Sequence, residues 1–177
     1  MKNNYSIKVD NEKMAKALGK DLPISMKFST QLCNAIRKKS TQRAKIILQE
    51  IMDLKKALPM KRYNKDLAHQ KATGPGRYPV NAASHILKVV EQVEKNAQFK
   101  GLDIANLQII HIKVDKAATP WHYGRKRRRK MKRSHIEIVV KEKESDKKET
   151  KNNKAKKEET KEKTEIKKAA EEKGDKK

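Results

Sequence analysis

Between Arg125 and Arg133 every residue is basic except Met131: Arg125, Lys126, Arg127, Arg128, Arg129, Lys130, Lys132 and Arg133. Eight cations on nine residues repel one another, and a polyanion relieves that repulsion. Arginine adds a planar fork that matches phosphate oxygens and stacks on bases. Just upstream, Trp121, His122 and Tyr123 supply flat rings for an unstacked nucleotide, and Gly124 follows them. Basic and aromatic side chains on one segment point to nucleic-acid binding. In a tail, such a run would read as a solvated stretch or a localisation signal, but here two strand-like apolar runs flank it.

A second basic surface lies in the loop of residues 60 to 78, which carries Lys61, Arg62, Lys65, His69, Lys71, Arg77 and Tyr78. Its Gly74-Pro75-Gly76 turn lets backbone amides approach a phosphate, ahead of a helix N-terminus near Pro79 that favours anions. Alone, Gly-Pro-Gly is an ordinary surface turn, and no GxxxxGK[ST] spacing accompanies it.

Other chemistry finds little support. His69, His85, His111, His122 and His135 are spread without an HExxH or Cys/His ligand spacing, so no metal is expected. His111 and His135 read as cross-strand neighbours facing RNA or the sheet surface rather than as a catalytic pair. Cys33 is the only cysteine and falls beside an apolar helical stripe, which suits a buried, inert thiol. Asp53, Asp103 and Asp115 stand singly and form no paired-carboxylate site. An RNA-modifying or RNA-cleaving enzyme would need a metal cluster, an acid–base pair or a cofactor loop, so neither a catalytic residue nor a cofactor is expected.

The elements that must hold these segments follow from periodicity. Tyr5, Ile7 and Val9 alternate with Ser6 and Lys8 as in a short strand. Ser29 is the expected N-cap of a helix bearing Leu32, Cys33 and Ile36, with Arg37, Lys38 and Lys39 at its C-terminal end. Ser40 or Thr41 caps a second helix, in which Ala44, Ile47, Leu48, Ile51 and Met52 form one stripe. After Pro59 the basic loop must run on the surface. Pro79 opens the longest helix, whose face is Val80, Ala83, Ile86, Leu87, Val90, Val93 and Ala97, ending before Gly101. Leu107 to Val114 and Ile136 to Val140 are partner strands, with Ile110, Ile112 and Val114 facing one way on the first and Ile136, Ile138 and Val140 on the second. The connection between them, residues 115 to 134, is far longer than an ordinary hairpin loop. The predicted fold class is α+β: three helices packed on a small antiparallel sheet, a long extended β-hairpin and a disordered tail.

Composition sets the scale. The 177 residues carry 46 Lys plus Arg against 22 Asp plus Glu, a formal charge of +24. Residues 141 to 177 hold 15 basic and 11 acidic side chains, so +20 belongs to residues 1 to 140. The expected organisation is one RNA-binding domain over 1–141, able to bury its own core, and a Lys/Glu-rich tail over 142–177. With Ile166 as its one large apolar residue, that tail cannot offset the entropy of ordering. No run of about 18 apolar residues is present, and no apolar region follows Met1-Lys2-Asn3-Asn4. The expectation is a soluble cytoplasmic protein without a standard export signal, a membrane partner or a small-molecule substrate.

The stretches Tyr5-Ser6-Ile7, Lys61-Arg62-Tyr63-Asn64-Lys65-Asp66-Leu67-Ala68-His69, Gly76-Arg77-Tyr78-Pro79-Val80 with Ala82-Ala83, Gly101-Leu102-Asp103 and His135-Ile136-Glu137-Ile138-Val139-Val140 occur in an order that resembles large ribosomal subunit protein twenty-two, in the archaeal and eukaryotic branch of that family. The resemblance covers residues 5 to 141. It implies an α+β domain near the peptide exit of the large subunit, contacting several domains of its rRNA and neighbouring ribosomal proteins. It also implies that the hairpin tip, Trp121 to Gly124, lines the exit tunnel within reach of the nascent peptide. The chain departs from the family's Pro-Arg-Ala-x-Gly-Arg pattern at that tip, reading Ala118-Thr119-Pro120-Trp121-His122-Tyr123-Gly124-Arg125 in a shorter loop. The competing reading from charge alone is a nucleoid or chromatin-type DNA-binding protein.

Overall fold

The structure, a computed structural model, describes residues 5–7, 13–71 and 73–143. Its elements in chain order are β1 (Met14–Leu22), α1 (Met26–Ile36), α2 (Thr41–Met52), β2 (Leu58–Pro59), β3 (His69–Gln70), β4 (Gly74–Arg77), α3 (Val80–Phe99), β5 (Leu107–Lys116) and β6 (Ser134–Glu142). The main sheet has the order β1-β6-β5, antiparallel throughout, and a smaller sheet has the order β2-β4-β3. Three helices on an antiparallel sheet bear out the α+β expectation. The tail expected to be disordered lies, beyond Lys143, outside the described residues.

One sheet face and the three helices enclose the core. Ile136, Ile138 and Val140 of β6, Leu107, Ile109 and Ile112 of β5 and Ala15 and Ala17 of β1 are buried in it. From the helices come Leu32, Cys33 and Ile36, then Ala44, Ile47, Leu48 and Ile51, then Ala82, Ala83, Ile86, Val89, Val90, Val93 and Ala97. The small residues of β1 let α3 lie close to the sheet. A Cβ on Gly19 would stand 2.9 Å from Val89 Cγ2 and 2.8 Å from Leu22 Cδ1.

Several expectations are corrected. Tyr5–Ile7 is not a strand, and Val9 lies outside the described residues. The first strand is Met14–Leu22, whose inward positions are Ala15, Ala17 and Gly19, too weakly apolar to register as an alternating pattern. Helix α1 begins one turn before the expected Ser29 cap. Ser25 is its N-cap, and Ser29 is buried within the helix with its hydroxyl unpaired. Of the two residues considered for capping α2, Ser40 takes the role, its side chain accepting from Arg43 N at 3.3 Å. The α3 face is rotated slightly from the reading above: Val80 is exposed, Leu87 is half-buried, and Ala82 and Val89 are buried instead.

On β5 the register shifts between Ile109 and His111, which pair with Val140 and Val139. Ile110 is therefore an extra residue in a bulge and is exposed rather than sharing a face with Ile112. The α1–α2 turn docks at this edge: Lys38 N donates to Ile109 O at 3.1 Å, and Ile109 N donates to Lys39 O at 2.9 Å. The same register separates the two histidines expected to be neighbours, since His135 faces Asp115 and His111 faces Val139.

The basic loop of residues 60 to 78 is more ordered than a surface connection. Met60 and Gly76 are buried, Met60 N donates to Pro75 O at 2.9 Å, and β3 and β4 form inside the segment.

Candidate nucleic-acid interface

The β5–β6 ladder runs to Lys116 and Ser134, and beyond it the chain keeps a hairpin path. Ala117 N donates to Arg133 O at 3.1 Å, Met131 N to Pro120 O at 2.8 Å, and His122 N to Arg129 O at 2.8 Å. Trp121 and Lys130 form an isolated bridge, and the Lys130 ammonium stands 4.5 Å from the indole centroid. The tip turns through Gly124 at φ +64°, a conformation that side chains with a Cβ resist.

This path sets the cations facing solvent. Arg125, Lys126, Arg127, Arg128, Arg129, Lys130 and Lys132 are all exposed. Arg133 is half-buried and reaches β1, its guanidinium donating to Asp21 O at 3.0 Å, so it braces the base of the hairpin. Trp121 and Tyr123 are 59% and 86% exposed, leaving Tyr123 and the indole face away from Lys130 open for stacking, while His122 is half-buried. No acidic residue occurs between Asp115 and Glu137. The hairpin is thus a cationic arm with unsatisfied charge and open aromatic faces, suited to phosphates and unstacked bases.

The second basic set sits on the small sheet and the segments that join its strands. Lys61, Arg62, Lys65, His69, Lys71 and Arg77 are exposed, and Tyr78 is half-buried. Helix α1 adds a member the sequence did not announce: Lys27 lies 5.9 Å from the Tyr63 ring centroid, and the Arg62 guanidinium lies 5.3 Å from it. Only tertiary packing brings Lys27 to that ring, so no local signal could have shown it. The first set extends the main sheet and the second belongs to the small sheet and its connecting segments.

On the outer face of the main sheet, Glu137 is 5% exposed and gathers the N-terminal segment. Ser6 N donates to its Oε2 at 3.2 Å, the Ser6 hydroxyl hydrogen-bonds Oε1, and His111 Nε2 donates to Oε1 at 2.8 Å. Burial pushes this carboxyl up, but the hydrogen bonds from Ser6 and His111, with the His111 charge, outweigh it and hold its pKa below the usual glutamate value. Cys33 is fully enclosed; burial raises its thiol to about 12 although Arg37 pulls the other way, consistent with the inert thiol expected. Among the described residues no three His, Cys, Asp or Glu side chains cluster as metal ligands, and no helix is long and apolar enough to cross a membrane.

The described residues thus form an α+β body that presents a cationic hairpin and a second basic segment. Comparison with known proteins narrows the class. Residues 17–141 match the family model described as ribosomal protein L22p/L17e. Large ribosomal subunit protein uL22 of Archaeoglobus fulgidus is 38% identical over 146 residues, covering 77% of this chain and 94% of that protein. The uL22 proteins of Thermofilum pendens and Staphylothermus marinus are 38% and 39% identical, covering 78% of this chain and 95% and 96% of their own lengths. The chain belongs to the L22p/L17e family of ribosomal proteins, as its resemblance implied.

Proposed function

We propose that this chain is a structural protein of the large ribosomal subunit that binds large-subunit rRNA through two basic surfaces and aids its assembly. Its hairpin reaches into the particle and lines the peptide exit tunnel with Trp121, His122, Tyr123 and Gly124. The relatives are named large ribosomal subunit proteins and extend over most of this chain. The observation that carries the reading is the hairpin: seven exposed cations on a β-ladder extension with no acidic residue between Asp115 and Glu137. A phosphate backbone supplies the missing counter-charge, and many modest contacts suit a scaffold better than one reactive site. Arg125, Lys126, Arg127, Arg128, Arg129, Lys130 and Lys132 hold the RNA on the hairpin, with Arg133 at its base. Lys61, Arg62, Lys65, His69, Lys71, Arg77 and Tyr78 hold a second segment. Neighbouring ribosomal proteins are its further partners, and the nascent peptide passes the tip.

The test is sedimentation of the full-length chain from lysate. Retention on large subunits after a high-salt wash is expected; loss to the soluble fraction, or to DNA that nuclease releases, would overturn the reading.

A further inference from the structure

Between α1 and β2 an open cleft of about 100 Å³ lies at the surface, lined by Gln31, Asn34 and Ala35 from the helix and by Leu58, Pro59 and Lys61 from the strand and its exit. That is well below the roughly 300–1,000 Å³ of pockets that enclose a whole small ligand, so it has room for the edge of one flat ring left open to solvent on its other side. Its walls are of two kinds. Leu58, Pro59 and Ala35 offer apolar surface, whereas Gln31 is only 4% exposed and its side-chain nitrogen is buried without a hydrogen-bond partner.

A buried amide donor normally finds an acceptor, and those left unpaired in a native fold ask for an explanation. Gln31 neighbours Leu32 and Cys33 in α1, at a position where an aliphatic side chain would cost nothing in unmet hydrogen bonds. Exposed Lys61 lines the cleft, Arg62 follows it in sequence, and no carboxylate contributes to the lining. An isolated phosphate would gain little from the apolar walls. A flat, partly apolar ring with acceptors on its edge and a phosphate attached satisfies every surface at once.

We propose that this cleft receives one nucleobase turned out of its stack in the rRNA. The Gln31 amide turns to donate to an oxygen or ring nitrogen on the base edge, the ring lies against Pro59 and Leu58, and Lys61 meets the adjoining phosphate. This rests on the rRNA-binding reading above and adds a base-contacting site to the second basic surface, whose cations otherwise meet the backbone.

The experiment titrates the full-length chain against large-subunit RNA across a salt series, with base-specific chemical probing of the bound RNA. Gln31→Leu removes the amide and keeps the bulk; Ala35→Phe fills the cleft. Each is expected to weaken binding about tenfold, the effect of one lost base contact, with the salt slope unchanged. Probing should show one nucleotide protected by the wild-type chain and reactive with both variants. Lys61→Ala should instead lower the slope by roughly 0.7 to 0.9. Thermal melting of Gln31→Leu at or above the wild-type temperature separates lost contact from unfolding. Wild-type affinity and an unchanged probing pattern in both variants would overturn the cleft and leave RNA binding standing; a wild-type chain that does not bind rRNA overturns both. Unchanged probing combined with poorer incorporation into the large subunit would assign the cleft to a neighbouring protein and overturn the proposal as well.

Discussion

The two basic surfaces carry the same kind of charge on opposite kinds of support. The hairpin beyond Lys116 is held by its own cross-strand hydrogen bonds and the Lys130–Trp121 contact, and from Ala118 to Lys132 no residue is fully buried. The segment from Leu58 to Arg77 is anchored in the interior: Leu58, Met60 and Gly76 are buried, and a Cβ on Gly76 would meet Gln70 Cγ at 3.1 Å and Ala57 Cβ at 3.2 Å. One surface is an appendage of the fold, the other part of its packing. Charge alone does not distinguish them; the apolar residues beneath the charge do.

Deleting residues 120 to 131 tests this contrast most severely. It removes six cations, Arg125 to Lys130, and both open rings, yet takes nothing from the core. The log–log salt slope of rRNA binding should fall in magnitude by about 4 to 5, at roughly 0.7 to 0.9 per phosphate contact. Urea unfolding should leave the midpoint close to wild type. A deletion that unfolds the domain would make the hairpin a core element and erase the distinction.

Leu58→Ala probes the other side. Leu58 is 2% exposed and belongs to the main hydrophobic cluster, so its truncation should lower unfolding stability by about 2–5 kcal/mol, measured by urea titration. It removes no charge, so any loss of RNA affinity should follow the unfolded fraction and leave the salt slope as it was. A changed slope with full stability would mean that the second surface does not depend on its anchor.

How much of this was readable from the residues follows the same division. The stripes of α2 and α3 and the pairing of β5 with β6 rest on large apolar side chains at regular spacing, and the sequence shows them directly. The hairpin cations could be assigned because their chemistry is local. Strand β1 escaped because Ala15, Ala17 and Gly19 pack closely without looking apolar. Ile110 misled because a bulge alters the face of every residue on one side of it, and the bulge lies where Lys38 and Lys39, about 70 residues away, dock on Ile109. Small strands such as β3 and β4, made of His69-Gln70 and Gly74-Pro75-Gly76-Arg77, carry no periodicity at all. The Gln31 cleft and the Lys27–Tyr63 contact exist only once α1 meets the small sheet.

Between the appendage and the interior lies the hairpin's root, where Glu137 ties β6 to His111 of β5 and to Ser6. The carboxyl's pKa is depressed in the fold, so the ionised form favours the native state. Its contribution is complete above the unfolded value, about 4.3 for an ordinary glutamate, and disappears as pH falls through the lower folded value. The wild-type urea midpoint should therefore decline as pH is taken from about 5 towards 3. Glu137→Gln keeps the shape but weakens the charge-assisted bonds, at a cost on the order of 1 kcal/mol near neutrality. Its midpoint should fall less over the same acid range. This is the smallest of the three effects, because other carboxylates contribute to the acid slope in both proteins and cancel only in the difference. If the two proteins declined in parallel, Glu137 would not hold the root through its charge, and the pairing of β6 with β5 and β1, its packing and the Arg133 bond to Asp21 would attach the hairpin to the fold.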